Sequence, residues 1–142
     1  MQTKLTRAEI MALSPQQLRL AVAELMGWKW QDASSNFPGW KSLKKSADDV
    51  YLGALITDKE THLYDILPNY SEDIAAAWTV HKKMAESRIL SNAYLRHLQD
   101  VVLARLGLEY TTLLDMLMLL EPIDFCRAAL MAQQAAEAVK EN

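Results

Sequence analysis

The stretch Leu67–Trp78, LPNYSEDIAAAW, joins a sharp turn to the start of a helix. Pro68 and Asn69 interrupt regular structure, and Ser71 carries a side chain typical of a helix N-cap. The two carboxylates that follow Ser71 fall in the first turn, where the positive end of the helix dipole favours them. Apolar side chains then recur at helical spacing. We therefore predict a helix over residues 71–87, whose run of alanines lets another layer approach closely.

A second helix is predicted before this stretch, within residues 5–26. Ser14, Pro15 and Gln17 have the residue types of the N-cap, N1 and N3 positions of a capping box. An apolar stripe follows them, and Gly27 is placed to end the helix in the left-handed conformation.

Residues 28–66 differ in character, because short runs of strand-forming residues alternate with breakers. The candidate strands are Trp28–Gln31, Val50–Ile56 and His62–Ile66, with Thr57–Glu60 as a hairpin turn. The polar segment QDASSNFPG and the lysine-rich segment after it are predicted to be loop.

The C-terminal half is predicted to hold three more helices, bounded by capping residues, a glycine and a proline. Proline lacks an N–H group, so a break is expected where it occurs and a new helix can begin there. These helices run from an N-cap at Ser91 to Gly107, over Leu113–Leu120 with Thr111 or Thr112 as the cap, and from Pro122 to about Val139.

The composition limits the class of protein. A length of 142 residues, half of them hydrophobic, suits one domain with its own core. The balance of 15 basic and 18 acidic residues argues against binding of DNA, RNA or a membrane surface. Cys126 is the single cysteine, so no intrachain disulfide can form. We predict an α+β fold: one helix-rich domain over residues 1–142, with a small antiparallel sheet packed between helical layers.

No arrangement of residues typical of catalysis or metal binding is visible in the sequence. The three histidines, His62, His81 and His97, show no metal-ligand spacing among themselves or with Cys126. His81 and Cys126 lie on apolar helix faces, where packed core residues are the expected outcome. We therefore expect a binding protein, with no enzyme activity and no cofactor.

Three segments carry a family resemblance when they are taken together: residues 24–28 (ELMGW), residues 68–73 (PNYSED) and residues 125–130 (FCRAAL). In this order they resemble the phage ABA sandwich family. The resemblance implies a phage protein with a helix–sheet–helix arrangement. Some relatives are similar to the Thoeris anti-defence proteins, homo-oligomers that hold cyclic nucleotide-like immune signals without cleaving them. The family has strands where residues 91–106 look helical here, so the expected sheet is smaller.

Trp40 is the most suitable platform for a nucleotide base, since aromatic rings stack on bases and nearby cations meet phosphates. The cations that follow it are Lys41, Lys44 and Lys45. The alternative is a solvated lysine-rich turn with Trp40 in the core. Trp28 and Trp78 are predicted to be core residues.

Three further residues are candidates from the helices. Asn92 and Tyr94 can read a base edge or stack on a ring, although capping and packing explain them equally well. Arg127 presents a donor fork suited to phosphate. Its alternative is a surface ion pair with Asp124, three residues earlier.

The leading functional hypothesis is a phage counter-defence protein in the host cytoplasm that sequesters a cyclic nucleotide or cyclic ADP-ribose-like signal. It is expected to form homo-oligomers. The alternative is a protein that inhibits a host protein through an apolar surface. The methionine-containing segment over residues 113–120, LLDMLMLL, is the candidate for that surface.

Overall fold

The computed structural model describes residues 5–141, which form six helices and one four-stranded sheet. The helices are α1 (Arg7–Ala12), α2 (Pro15–Leu25), α3 (Ile74–Glu86), α4 (Ser91–Leu106), α5 (Leu113–Leu119) and α6 (Pro122–Glu141). The strands are β1 (Lys29–Ser34), β2 (Phe37–Lys44), β3 (Ala54–Ile56) and β4 (Thr61–Leu63). The predicted helix-rich α+β class and the small antiparallel sheet are confirmed. Contacts group the chain into two compact units, Ala23–Pro68 and the remainder.

In the helical unit, α6 is the central element and packs against α1, α3 and α4. Apolar side chains on these helices are excluded from water, which is the main favourable term in folding. The buried set includes Ile10, Val80, Met84, Leu98, Val101, Val102, Phe125 and Ala129.

A buried ion pair ties the start of α6 to two other helices. Asp124 is completely buried and accepts hydrogen bonds from Arg105 Nε at 2.9 Å and Nη2 at 2.9 Å. It also accepts the backbone N–H of Glu121 at 2.9 Å, and Arg105 donates to the carbonyl oxygen of Leu119 at the end of α5. This network holds α4, α5 and α6 together.

The break at Pro122 is confirmed, since α5 ends at Leu119 and Pro122 is the first residue of α6. The capping box predicted at the start of α2 is confirmed, because the Ser14 hydroxyl accepts the N–H of Gln17 at 3.2 Å and the Gln17 side chain accepts the N–H of Ser14 at 2.9 Å. Two further predicted helix-end residues are also confirmed. Thr112 accepts the N–H of Asp115 at 3.1 Å, and Gly107 ends α4 with φ +68°. Gly27 follows α2 with φ +105°, as its placement predicted.

The predicted caps at Ser71 and Ser91 are wrong. The Ser71 hydroxyl is buried and donates to the Pro15 carbonyl oxygen at 3.2 Å. Asp73 is the N-cap instead, because its carboxylate accepts the N–H of Ala75 at 3.0 Å, so α3 begins at Ile74. Ser91 is already the first residue of α4, and the preceding residue makes no side-chain cap bond.

The four strands of the other unit form an antiparallel meander in the order β1-β2-β3-β4. The predicted turn between the last two strands is confirmed, because the N–H of Thr57 donates to the Glu60 carbonyl oxygen at 3.0 Å. The strands β3 and β4 are shorter than predicted. Val50 and Tyr51, expected in a strand, are 85% and 73% exposed and lie before it.

The loop predicted over residues 31–45 is wrong, because β1 and β2 pair there as a hairpin. The register shifts between Asp32 and Ser34, which accommodates Pro38 and Gly39 within β2. Gly39 has φ +89°, a conformation that glycine adopts without strain. The breakers that suggested a loop therefore lie in an irregular section of a strand.

The two tryptophans predicted as core residues differ in their exposure to solvent. Trp28 is 6% exposed and its ring packs against Gly53, where an added Cβ would lie 2.9 Å from ring atom Cζ3. Trp78 is 53% exposed, so that prediction is wrong. The buried face of α3 is formed by Ala77, Val80 and Met84. Trp78 lies beside that face and stacks on His81.

Candidate functional site

The end of the β1–β2 hairpin forms a concave site of about 410 Å³. Its irregular register brings the aromatic rings of Phe37 and Trp40 together, with centroids 4.6 Å apart and planes inclined by 24°. Trp40 is half-buried and Phe37 is 49% exposed. The other lining residues are Asp32, Ser34, Ser35, Pro38 and Gly39. The site therefore offers a preformed aromatic platform with hydroxyl and carboxylate groups beside it.

Asp32, one of the lining residues, forms an ion pair with Lys41, which is not itself among the residues that line the site. The two residues face each other directly across the hairpin. The hydrogen bond from Lys41, and its positive charge, lower the pKa of the Asp32 carboxyl. Asp32 is therefore ionised at neutral pH and can accept hydrogen bonds from a ligand.

The predicted lysine cluster is divided between different environments. Alternation along β2 places Lys41 and Leu43 on one face of the sheet and Lys44 on the other. Lys44 is directly opposite Lys29 of β1. Lys45 lies beyond the strand, with its Nζ atom 5.9 Å from the centroid of the Trp28 ring. Of the three lysines, only Lys41 is paired with a residue that lines the concave site.

Tyr94 and Asn92 are not brought together by the structure. Tyr94 is completely buried, and its hydroxyl lies 2.8 Å from Nδ1 of His81. A ring in that position presents no face to a ligand, so Tyr94 is a packing residue. Asn92 is exposed and lies two positions earlier on α4, which is a different side of the helix.

Arg127 is not paired with Asp124, the residue that the sequence analysis offered as its ion-pair partner. Asp124, its expected ion-pair partner, is held by Arg105. Arg127 is half-buried, and its Nη2 atom donates to the Met11 carbonyl oxygen at 3.2 Å, while its buried Nε atom has no partner in the described part of the chain. Met11 lies in the last turn of α1, where helix carbonyl groups lack helical partners. Arg127 therefore supplies a hydrogen-bond donor to a carbonyl group at the end of α1.

The prediction that Cys126 and His81 are packed residues on apolar helix faces is confirmed. Cys126 is completely buried and its thiol donates to the Tyr70 carbonyl oxygen at 3.1 Å. Burial raises the pKa of this thiol to about 12, so it stays protonated. His81 is half-buried among Trp78, Tyr94 and Phe125, and burial lowers its pKa.

Residues 5–141 contain no cluster of three potential metal ligands and no helix long and apolar enough to cross a membrane.

The sequence singled out Trp40 but missed Phe37 and Asp32 as parts of the same site. The signal for Asp32 was its position across a hairpin from Lys41, and it could be recognised only once the pairing was known. The signal for Phe37 was its spacing of three residues from Trp40 across Pro38 and Gly39. In a regular strand, residues three apart point to opposite faces, so the stack depends on the irregular register.

No family model, curated protein or solved structure matches this chain.

Proposed function

We propose that this protein is a phage counter-defence protein that binds a nucleotide-derived host immune signal at the end of the β1–β2 hairpin and holds it without turnover. The observation that carries this proposal is the concave site itself. It combines the stacked rings of Phe37 and Trp40 with the ionised carboxylate of Asp32, which is paired with the Lys41 ammonium group. The sequence resemblance described above points to the same class of ligand.

Each group in the site matches one part of a nucleotide. A base stacks on the half-buried Trp40 ring, an interaction worth about 1–3 kcal/mol. The Asp32 carboxylate accepts hydrogen bonds from ribose hydroxyls or from an exocyclic amine. Lys41, which is paired with the lining residue Asp32, meets a phosphate oxygen as a point charge.

The chemistry of these groups favours retention over cleavage. Asp32 is held ionised by Lys41, so it is a poor proton donor. Ser34 uses its hydroxyl to accept the N–H of Asn36 at 3.2 Å. The lining residues of this concave site include no histidine or cysteine that would activate a serine or attack a phosphate.

Calorimetric titration with cyclic ADP-ribose and cyclic dinucleotides tests the proposal. Replacing Trp40 with Leu should weaken binding by about 5- to 150-fold, the equivalent of one stacked base. Trp40→Phe should retain most of the affinity, because it keeps a ring. Trp78→Leu is the matched control, since Trp78 is an exposed tryptophan on α3. Absence of binding to every nucleotide tried, or equal losses in the Trp40 and Trp78 variants, would contradict the proposal.

The exposed side of α5 favours the second candidate, inhibition of a host protein through an apolar surface. Five of its residues are large, apolar and 43–76% exposed: Leu113, Leu114, Leu117, Met118 and Leu119. Exposed apolar patches on soluble proteins commonly mark interaction sites. Binding of a host protein that is lost in Leu117→Lys but retained in Trp40→Leu would favour this function over nucleotide binding.

A further inference from the structure

A second pocket, of about 240 Å³, lies among α1, α4 and α6 in the helical unit. Its walls are largely apolar and include Ile10, Met131 and Leu5. Ile10 is 1% exposed and Met131 is 5% exposed, so both are fixed parts of the core. The pocket therefore has a rigid apolar base that is independent of the hairpin.

The polar groups of this pocket are hydrogen-bond donors. The Gln134 side-chain oxygen already accepts the backbone N–H of Leu5 at 2.8 Å, so the amide presents its NH₂ group as a donor. Arg7 contacts Asp100 through a single nitrogen at 3.5 Å, which leaves most of its guanidinium donors for other partners. A donor-rich rim above an apolar base suits an acceptor group attached to an apolar body.

His97 adds a polar edge without adding a full charge. Burial and the nearby Arg7 lower its pKa, so the ring is neutral at neutral pH. Its Nδ1 atom is buried and has no partner among residues 5–141, so the ring meets the pocket with its other atoms. The polar edge therefore holds a neutral imidazole and one guanidinium, whose charge the Asp100 carboxylate 3.5 Å away partly offsets, and this suits a singly charged carboxylate better than a doubly charged phosphate.

We propose that this pocket binds a small monocarboxylate with an apolar body of about six to eight carbon atoms. The size follows from the volume, since each water occupies about 30 Å³ in the liquid and an apolar cavity of about 150 Å³ holds benzene. The carboxylate lies against Arg7 and the Gln134 amide, and the apolar body contacts Ile10 and Met131. This site goes beyond the proposed nucleotide function and does not depend on it.

Phenylacetate and 2-phenylethanol are a matched pair of probes, because they share the ring and differ in the carboxylate. Calorimetric titration of the full chain should show that phenylacetate binds more tightly. Arg7→Gln should weaken phenylacetate about tenfold or more, the effect of losing a charged hydrogen bond, and leave the alcohol unchanged. Asp100→Asn is the control, because it breaks the Arg7–Asp100 ion pair without removing the donors.

A filling substitution localises the binding. Ala135 is exposed at the rim of the pocket, so Ala135→Phe should block both probes while the protein stays folded. Ala104→Phe, at an exposed alanine of α4 outside the pocket, should bind both probes normally. The proposal is overturned if neither probe binds at millimolar concentration or if Ala135→Phe binds them like the wild type. It is also overturned if Arg7→Gln weakens both probes equally, if Asp100→Asn reproduces its effect, or if inorganic phosphate binds as tightly as phenylacetate.

Discussion

Asp124 is the residue on which the junction of α4, α5 and α6 depends. It has no access to water, and its carboxylate neutralises a guanidinium whose side chain is only 18% exposed. Removing one member of a buried ion pair leaves the other charge uncompensated, which is much more costly than losing a surface pair. The burial of Asp124 therefore determines how much stability is lost when this pair is broken.

We expect Asp124→Ala to lower the free energy of unfolding by about 3 kcal/mol, near the lower end of the range for a broken buried pair. Asp100→Ala is the control, because it removes the carboxylate of the exposed Arg7–Asp100 pair. Its loss should be about 0–1 kcal/mol. Urea denaturation of the two variants measures both values. Similar losses in both would show that the Asp124 pair does not hold the junction.

Substitution of Arg127 distinguishes a structural role of this residue from a ligand-binding role. Its guanidinium donates to the Met11 carbonyl oxygen, so Arg127→Ala should lower the free energy of unfolding by about 1–3 kcal/mol. Nucleotide affinity, measured by calorimetry under conditions where the variant is folded, should change little. A variant with wild-type stability and a ten- to hundred-fold loss of affinity would instead identify Arg127 as a phosphate ligand.

At the scale of the elements, Gly107 controls the end of α4. It has φ +68°, and the N–H groups of Gly107 and Leu108 bond to carbonyl groups of the last turn. An added Cβ would meet no atom within 4 Å, so a substitution here tests backbone conformation alone. Gly107→Ala should cost about 1 kcal/mol. Gly107→Asn should cost less, because asparagine tolerates this conformation. Thermal unfolding compares the two, and equal stability of Gly107→Ala and wild type would contradict the account.

Helix ends were predictable where the capping partner is local in sequence. Thr112 caps a residue three positions later, and Pro122 acts through its own missing N–H group. Ser71 failed as a cap because its hydroxyl bonds to Pro15, 56 residues away. A capping residue type gives no information about such a distant competitor.

The β1–β2 hairpin and its site were less predictable. Breakers usually mark loops, but here they lie inside β2, at the point where its register with β1 shifts. Trp40 could be chosen for its chemistry alone. Phe37 and Asp32 could be recognised as its partners only from the strand pairing. The burial of Tyr94 could be recognised only from the packing of α4.

At the scale of the whole molecule, the exposed apolar side of α5 predicts self-association. The neighbouring segment adds Leu108 and Tyr110, which are 48% and 76% exposed. Burying this surface against a second copy would remove it from water, at roughly 25 cal/mol per Å² of apolar area. We expect light scattering at micromolar concentration to give an oligomer.

Substitution of α5 tests whether that surface forms the interface. A double variant, Leu117→Lys with Met118→Glu, should yield a folded monomer. Ile89→Glu is the control, because Ile89 is 77% exposed and lies outside α5. A wild-type monomer would contradict the prediction, and an oligomer that persists in the double variant would move the interface elsewhere.

Retention of an intact nucleotide is the central claim, and native mass spectrometry after incubation with a panel of cyclic nucleotides and cyclic ADP-ribose tests it most directly. The account predicts a complex with a whole number of ligands per chain. The ligand released on denaturation should have its original mass, and Trp40→Leu should carry no ligand under the same conditions. Recovery of a cleaved ligand would indicate an enzyme, and a spectrum of unliganded protein throughout the panel would contradict the claim.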